Sequence, residues 1–384
     1  MPVINALRLT DFRSYGSLDL NLDGRPVVLF GANGAGKTNL MEAVSLLSPG
    51  RGLRRAKPGA LARLTGSGEI TGADMIQAPA WGVVATLQSE NNAEGGPIKI
   101  AVGQVPEHPR RRTMRIGGKA ASGADMAALM PMMWLTPAQD RLFTGPASDR
   151  RKFLDRFCLS YSPAHGSAFL RYEKARAQRN RLLSDGIEDA AWYNALETDM
   201  AHYGAKVAMA RAQTVATLRA EIDAREDGAF PKARIHLDGE AEAEFAQGLD
   251  AGTVEANITV RLSADRAVDL RAGRTRRGVH KSDLSVHHAP KNMPAHACST
   301  GEQKALLIGL ILAQARAQAD KKPILLLDEV AAHLDELRRA AMIEELLALG
   351  TQAFLTGTDK ELFEAFAGRA QSFHVADGAL ERVS

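Results

Sequence analysis

The sequence predicts an α/β fold of mixed sheets and helices, interrupted by a helical lobe, on three observations. Strand-like and helix-like patterns alternate at both ends of the chain, as in layered α/β domains. Near the N-terminus a glycine-rich segment joins a continuous apolar run to a helical stripe. Residues 147–226 switch to helical periodicity and separate the two ends.

Taken in order, residues 7–9 and 18–20 alternate apolar and polar side chains and read as half-buried strands. Val27–Phe30 is apolar throughout, as expected of a strand buried on both faces. After the glycine-rich loop, Leu40, Met41, Val44 and Leu47 recur at helical spacing. Residues 60–120 are rich in Gly, Thr and Val, and stretches 81–87 and 98–102 read as antiparallel strands. In the helical segment Trp192, Leu196, Met200, Tyr203 and Val207 form a stripe that continues through Val215, Leu218 and Ile222. Ser162-Pro163 and Asp185-Gly186 break this segment into a hairpin or small bundle, too short for coiled-coil arms. Strands are expected again at 233–237 and 258–262. The chain closes with helix 305–317, strand 324–327, helix 334–349 and strand 353–355. The expected organisation is a first lobe at 1–145, a helical insert at 146–228, and the rest of the second lobe and head at 229–384.

Composition narrows the function classes. With 45% hydrophobic and 24% charged residues, 384 residues suffice for one large or two unequal cores. Cys158 and Cys298 form no Cys-x-x-Cys pair, which excludes a disulfide framework and zinc-ligand spacing. The N-terminus lacks the features of a signal peptide, and the longest apolar run, 305–313, is far short of a membrane span. A soluble, cytoplasmic protein is expected. A net charge of only +3 means that any nucleic-acid affinity rests on local basic clusters.

The chemistry starts at Gly31-Ala32-Asn33-Gly34-Ala35-Gly36-Lys37-Thr38, a full match to the phosphate-binding G-x-x-x-x-G-K-[ST] loop between a strand and a helix. Its glycines let backbone N–H groups turn towards phosphate oxygens, and the helix N-terminus adds a favourable dipole. Lys37 would reach the β- and γ-phosphates of ATP, and the Thr38 hydroxyl would ligate Mg²⁺. A buried strand, Ile324–Leu327, ends in Asp328-Glu329 and reads as a Walker B element. There Asp328 would hold Mg²⁺ and Glu329 would polarise the attacking water. Most of the chain separates Lys37 from Asp328, so a large insertion divides one nucleotide site, the layout of an ABC-type P-loop ATPase head. Ser299-Thr300-Gly301-Glu302, at a helix start ahead of that strand, reads alone as an ordinary serine cap, but it stands where an ABC signature belongs. Residues 331–335, ending in Asp335, resemble a D-loop.

Over nearly its whole length the sequence resembles the RecF family of the ABC/SMC ATPase superfamily. The resemblance is carried by LRLTDFRSY (7–15), LFGANGAGKTNLMEAVSLLSPGRGLRRA (29–56), TPAQDRLFTGPASDRRKFLD (136–155), RGVHKSD (277–283), STGEQKALL (299–307) and the LLLDE strand. It implies an ABC-type head with an inserted helical lobe and an ATP-dependent homodimer. In such a dimer Ser299 and Gly301 of one copy meet the γ-phosphate held by the other. It implies DNA binding at junctions of single and double strands, and action with RecR, and with RecO in the same pathway, to load RecA onto gapped DNA. Slow, DNA-stimulated ATP hydrolysis would reset the dimer. It further implies that Gln139 meets Mg²⁺ and the γ-phosphate, that Arg13 reaches the phosphates, and that Asp335 lies at the dimer seam. Two departures stand out: Glu302 closes the signature, and RGVHKSD matches its family pattern loosely, so His280 receives no role.

Four basic clusters could serve DNA phosphates: Arg51, Arg54, Arg55 and Lys57; Arg110, Arg111, Arg112 and Arg115; Arg171, Lys174, Arg176, Arg179 and Arg181; and Arg271, Arg274, Arg276, Arg277 and Lys281. Taken singly, each reads first as an ordinary solvated surface. With 5% aromatic residues, base stacking is not expected to dominate. Two other readings compete. A transporter nucleotide-binding subunit would carry a switch histidine after strand 353–355, where this chain has Thr356-Gly357-Thr358 and no histidine before His374. In a nucleotide-switched scaffold, turnover would be incidental.

Overall fold

The computed structural model describes residues 2–65, 76–89, 96–108, 111–332 and 334–383. The chain divides into two compact units, one of residues 1–139 and 318–384, the other of residues 140–317. These boundaries differ from the expected lines at 145/146 and 228/229, which follow the start and end of helical periodicity.

The first unit begins with β1 (Pro2–Phe12), β2 (Tyr15–Asn21), β3 (Val27–Phe30), α1 (Lys37–Ser45), β4 (Leu64–Thr65) and β5 (Ile76–Gln77). It continues through β6 (Trp81–Ser89), β7 (Ile98–Gln104), β8 (Thr113–Ile116), β9 (Lys119–Ala120), α2 (Gly123–Leu129) and β10 (Met132–Leu135). The second unit comprises α3 (Ala147–Tyr161), α4 (Ala164–Ser184), α5 (Ala190–Ala224), β11 (Ala233–Asp238), α6 (Glu240–Ala246), α7 (Ala251–Ala264), α8 (Arg266–Ala272), β12 (Asp283–His288), β13 (Met293–Pro294) and α9 (Thr300–Arg316). The chain then returns to the first unit with β14 (Ile324–Leu327), α10 (Glu336–Leu349), β15 (Ala353–Gly357), β16 (Gln371–Ala376) and β17 (Ala379–Arg382).

In the first unit an antiparallel sheet of order β2-β1-β6-β7-β8-β9 packs with a sheet of order β10-β14-β15-β3-β16-β17 around one apolar core. The second sheet is parallel except for the β16–β17 edge. Its central strands are short apolar runs with both faces covered, which is why Val27–Phe30 and Ile324–Leu327 show no alternation. A register shift between Ile4 and Ala6 in β1 keeps Ile4 on the same buried face as Leu7 and Leu9, despite the odd spacing.

The second unit is a helical lobe with a small antiparallel sheet, β11-β12-β13. Two fully buried arginines organise its interior. Arg179 on α4 donates to Glu197 (3.0 Å), Asp269 (2.7 Å), Thr275 (2.8 Å) and the Leu262 carbonyl (3.1 Å). Arg211 on α5 forms a fork to Asp155 (2.8 and 3.0 Å) and reaches Glu242 (3.3 Å) and the Val279 carbonyl (2.6 Å).

Two sequence expectations are corrected here. Residues 258–262 belong to helix α7, where Val254, Ile258 and Leu262 are buried at intervals of one turn and Asp250 caps the N-terminus. Their β-branched side chains imitate a strand, but packing overrides that weak preference. On α5 the buried stripe runs through Tyr193, while Trp192 is 57% exposed.

Candidate functional site

Strand order decides where the site lies. Strands β14, β15 and β3 are neighbours in one parallel sheet, so the loops at their carboxyl ends converge, the usual position for a ligand in such sheets. The Gly31 N–H donates to the Thr358 carbonyl (3.1 Å), tying the loop after β3 to the one after β15. Gly31 has φ +143°, and a Cβ there would lie 2.3 Å from the Val375 carbonyl oxygen, so the residue must be glycine. Tyr15, fully buried, donates its hydroxyl to the Gly36 carbonyl (3.0 Å) and props the end of the loop. Helix α1 starts without a side-chain cap. Its first amides are therefore available to an anion. A cleft of about 370 Å³ opens there, lined by Asn33, Gly34, Gly36, Lys37, Thr38, Asn39, Arg54 and Glu329.

Lys37 folds back onto the loop, donating to the carbonyls of Gly31 (2.5 Å) and Ala32 (2.9 Å). Burial pulls its ammonium pKa down, against the opposing pull of Glu329, Asp328 and Asp359. Thr38 Oγ1 donates to Asp328 Oδ1 (3.0 Å), joining the P-loop helix to the end of β14. Thr356 Oγ1 donates to the same oxygen (2.8 Å) and accepts the Glu329 N–H (2.8 Å). Burial raises the Asp328 pKa, and the two threonine hydroxyls oppose that rise. Glu329 sits at φ +50°, a backbone state that non-glycine residues rarely adopt. The paired hydroxyl and carboxylate of Thr38 and Asp328 are hard oxygen donors, a set that suits Mg²⁺.

Other expected residues are placed differently. Arg13 forms a two-pronged ion pair with fully buried Glu42 (2.9 and 3.0 Å) and donates to the Ala60 carbonyl (2.9 Å). It pins residues 58–61 to α1 and is not among the cleft-lining side chains. Arg54 lines the cleft instead, donating to Asn39 Oδ1 (3.0 Å), while Asn39 in turn donates to Ser14 Oγ (3.0 Å). By sequence Arg54 groups with the DNA-binding candidates, and no spacing rule separates it from Arg51 and Arg55. Gln139 accepts the Thr136 N–H through Oε1 (2.9 Å) and also lies outside the cleft lining.

In the second unit Ser299 caps α9 in a reciprocal box with Glu302. Glu302 Oε2 accepts from the Ser299 N–H (3.0 Å) and hydroxyl (2.9 Å), and Oε1 pairs with Lys291. Lys291 and the Ser299 donors hold the Glu302 carboxyl down at about 2. Glu302, without a defined contact in the sequence reading, is thus the partner that shapes the exposed Ser299 turn. Gly301 lies half-buried in that turn. Asp335 caps α10, accepting the Arg338 N–H (2.8 Å); His333 lies outside the described residues.

Of the basic clusters, Arg179 is corrected from a surface candidate to a buried structural cation. Arg176 pairs with Glu173, Arg277 with Glu240 and Asp265, and Arg112 is half-buried against the Ser48 carbonyl (3.4 Å). Arg110 lies outside the described residues. His280 shares a hydrogen bond with the Tyr172 hydroxyl (2.7 Å), and burial, aided by Arg176, pushes its pKa down to about 3. Among the described residues no helix is long and apolar enough to cross a membrane.

Comparison with known proteins agrees with this geometry. Residues 3–380 match the family described as RecF/RecN/SMC N terminal domain. The chain is 47% identical over 384 residues to the DNA replication and repair protein RecF of Caulobacter vibrioides, covering 98% of this chain and 97% of that one. It is 48% identical over 383 residues to the protein of the same name from Mesorhizobium japonicum, with 98% and 97% covered. Among solved structures, that of the recombination mediator protein RecF-ATPrS in the RecFOR pathway matches with a TM-score of 0.81. At 21% identity, covering 100% of this chain and 98% of that one, this likeness speaks to the fold.

Proposed function

The chain belongs to the RecF family, and from that premise we propose that it is an ATP-dependent DNA-binding protein of replication and recombinational gap repair. The observation that carries the reading is the continuous line Thr38, Asp328, Thr356 and Glu329 across the mouth of the P-loop. It assembles the groups an ATPase needs from segments distant in the chain.

In this reading the loop amides and Lys37 cradle the β- and γ-phosphates of ATP. Thr38 and Asp328, with Gln139 approaching, would hold Mg²⁺. When bound, Mg²⁺ neutralises the charge of the phosphates. Glu329 orients and polarises the attacking water. Ser299 and Gly301 of a second copy complete the site in trans, and Asp335 contributes to the seam between copies. The exposed serine turn of α9, with its first-turn amides, is the form of group that meets a phosphate. The ATP-formed dimer binds DNA through phosphates, at junctions of single and double strands. With RecR, and RecO in the same pathway, it helps load RecA. Slow hydrolysis, stimulated by DNA, releases it.

Solution mass with and without Mg²⁺-ATP tests the central step. A monomer that becomes a dimer only with ATP, and not as Lys37→Met, is expected. A mass that nucleotide leaves unchanged removes the trans role of Ser299.

A further inference from the structure

We infer that Thr356 is a positioning residue for ATP hydrolysis, one hydroxyl that sets Asp328 and Glu329 relative to each other. This deepens the ATPase reading above and rests on it.

The sheet register places Thr356 there. Leu327 of β14 pairs with Leu355 of β15 in a parallel ladder, so Asp328 and Thr356, one residue further on each strand, emerge side by side. On its other side β15 pairs with β3, with Thr356 opposite Leu29, two residues before the P-loop begins. Thr356 therefore lies between the strand that delivers the phosphate loop and the strand that delivers the acids. It is fully buried, so water does not replace its hydrogen bonds.

Its hydroxyl has two directed tasks. As a donor it reaches Asp328 Oδ1 at 2.8 Å; as an acceptor it takes the Glu329 N–H at 2.8 Å. The second bond fixes the amide of a residue whose backbone is held at φ +50°. A non-glycine residue persists in that state only where its surroundings hold it, and such strain gathers at working sites. A turn of the Glu329 peptide out of this state would swing its side chain from the cleft it lines. Thr356 thus joins acid and acid-bearing backbone through one oxygen; a side chain without a hydroxyl would take this acceptor from the Glu329 amide and leave Asp328 Oδ1 one donor fewer, with the Thr38 hydroxyl still on it.

The test separates hydroxyl from shape. Thr356→Val keeps the branched outline and removes the hydroxyl; Thr356→Ser keeps the hydroxyl and removes the methyl group. For Thr356→Val, kcat for ATP is expected to fall about 10- to 100-fold, the effect of losing a hydrogen bond to a charged group. Equilibrium binding of a fluorescent ATP analogue, titrated without divalent metal, should stay within about twofold, because the phosphate loop is untouched. Binding of Mn²⁺ with that analogue, followed by electron paramagnetic resonance, should weaken through the loss of the Asp328 contact. Thr356→Ser should restore kcat to within about threefold of the parent. Thr356→Ala, which lacks the hydroxyl without crowding, should repeat the valine result and replaces it should that variant fail to fold.

Wild-type turnover in the valine or alanine variant would overturn the proposal. So would a serine variant as impaired as the valine one, because a retained hydroxyl would then not suffice for the role. Lys37→Met and Glu329→Gln run alongside: if the first still binds the analogue and the second still turns over, the ATPase assignment itself fails. If both behave as expected and Thr356→Val is normal, only the role of Thr356 falls.

Discussion

Replacing Gly31 by alanine tests whether the phosphate loop is held by sheet geometry or by its own sequence. At φ +143° an L-residue pays roughly 1–3 kcal/mol. A Cβ would also stand 2.3 Å from the Val375 carbonyl oxygen, well inside the 3.0 Å that real Cβ atoms keep. That oxygen is backbone of β16, which pairs directly with β3, so relief requires the two strands to part. Gly34 is the control. It has φ +86° but open space where a Cβ would go, so Gly34→Ala carries only the conformational cost of about 1–2 kcal/mol. The combined penalty at Gly31 is about 3 kcal/mol or more, which reads as at least a 100-fold loss of ATP affinity. A fall in melting temperature of several degrees should accompany it. Gly34→Ala should weaken affinity by about 5- to 30-fold and leave the strands in place. Titration with a fluorescent ATP analogue, alongside thermal melts of both variants, measures this. Equal affinities and equal melting temperatures for the two variants would refute the reasoning, because they would mean that the β16 contact does not constrain the loop.

Two further outcomes follow from the second unit and the basic clusters. Arg211→Met takes the guanidinium from half-buried Asp155 and buried Glu242, leaving them His165 and the Ser282 hydroxyl, and should cost about 3–5 kcal/mol in urea denaturation. Burial raises the Asp155 pKa, but Arg211 and His165 outweigh it and bring the group to about 2. Because that value lies below the unfolded one of about 4, Asp155 stabilises the fold above pH 4 and loses that contribution as pH falls towards 2. Arg211→Met should flatten this acid limb. For DNA, a double variant Arg51→Ala/Lys57→Ala should lower the slope of log affinity against log salt by about 2 if both side chains touch phosphates. Arg179→Ala should instead lower the melting temperature and leave the slope of the folded protein unchanged, since Arg179 is fully enclosed; a reduced slope in that variant would show the side chain reaching DNA.

The fate of these arginines explains how far the sequence could be read. The P-loop and the acidic strand end were legible because their chemistry is local. Turn, helix start and reactive side chain follow one another in sequence, so a spacing rule captures them. The core strands were legible for the same reason, as each short apolar run is long enough only to cross a sheet covered on both faces. What distinguishes Arg13, Arg54 and Arg179 is not local. Arg13 is claimed by Glu42 on α1 at 2.9 Å, Arg179 by Glu197 and Asp269 on two other helices, and Arg54, held 3.9 Å from the same Glu42, faces the cleft. An arginine becomes a structural cation or a phosphate ligand according to which carboxylate the fold buries beside it. That choice is made by tertiary packing and has no period or spacing. Thr356 illustrates the same point in the opposite direction. By residue type it is a threonine at the end of a β-strand, noted in the sequence only for standing where a transporter subunit would carry a histidine. Only the order β14-β15-β3 puts its hydroxyl between the phosphate loop and both acids. Where a site is assembled from adjacent strands, the strand that contributes no charged residue can still determine the geometry of those that do.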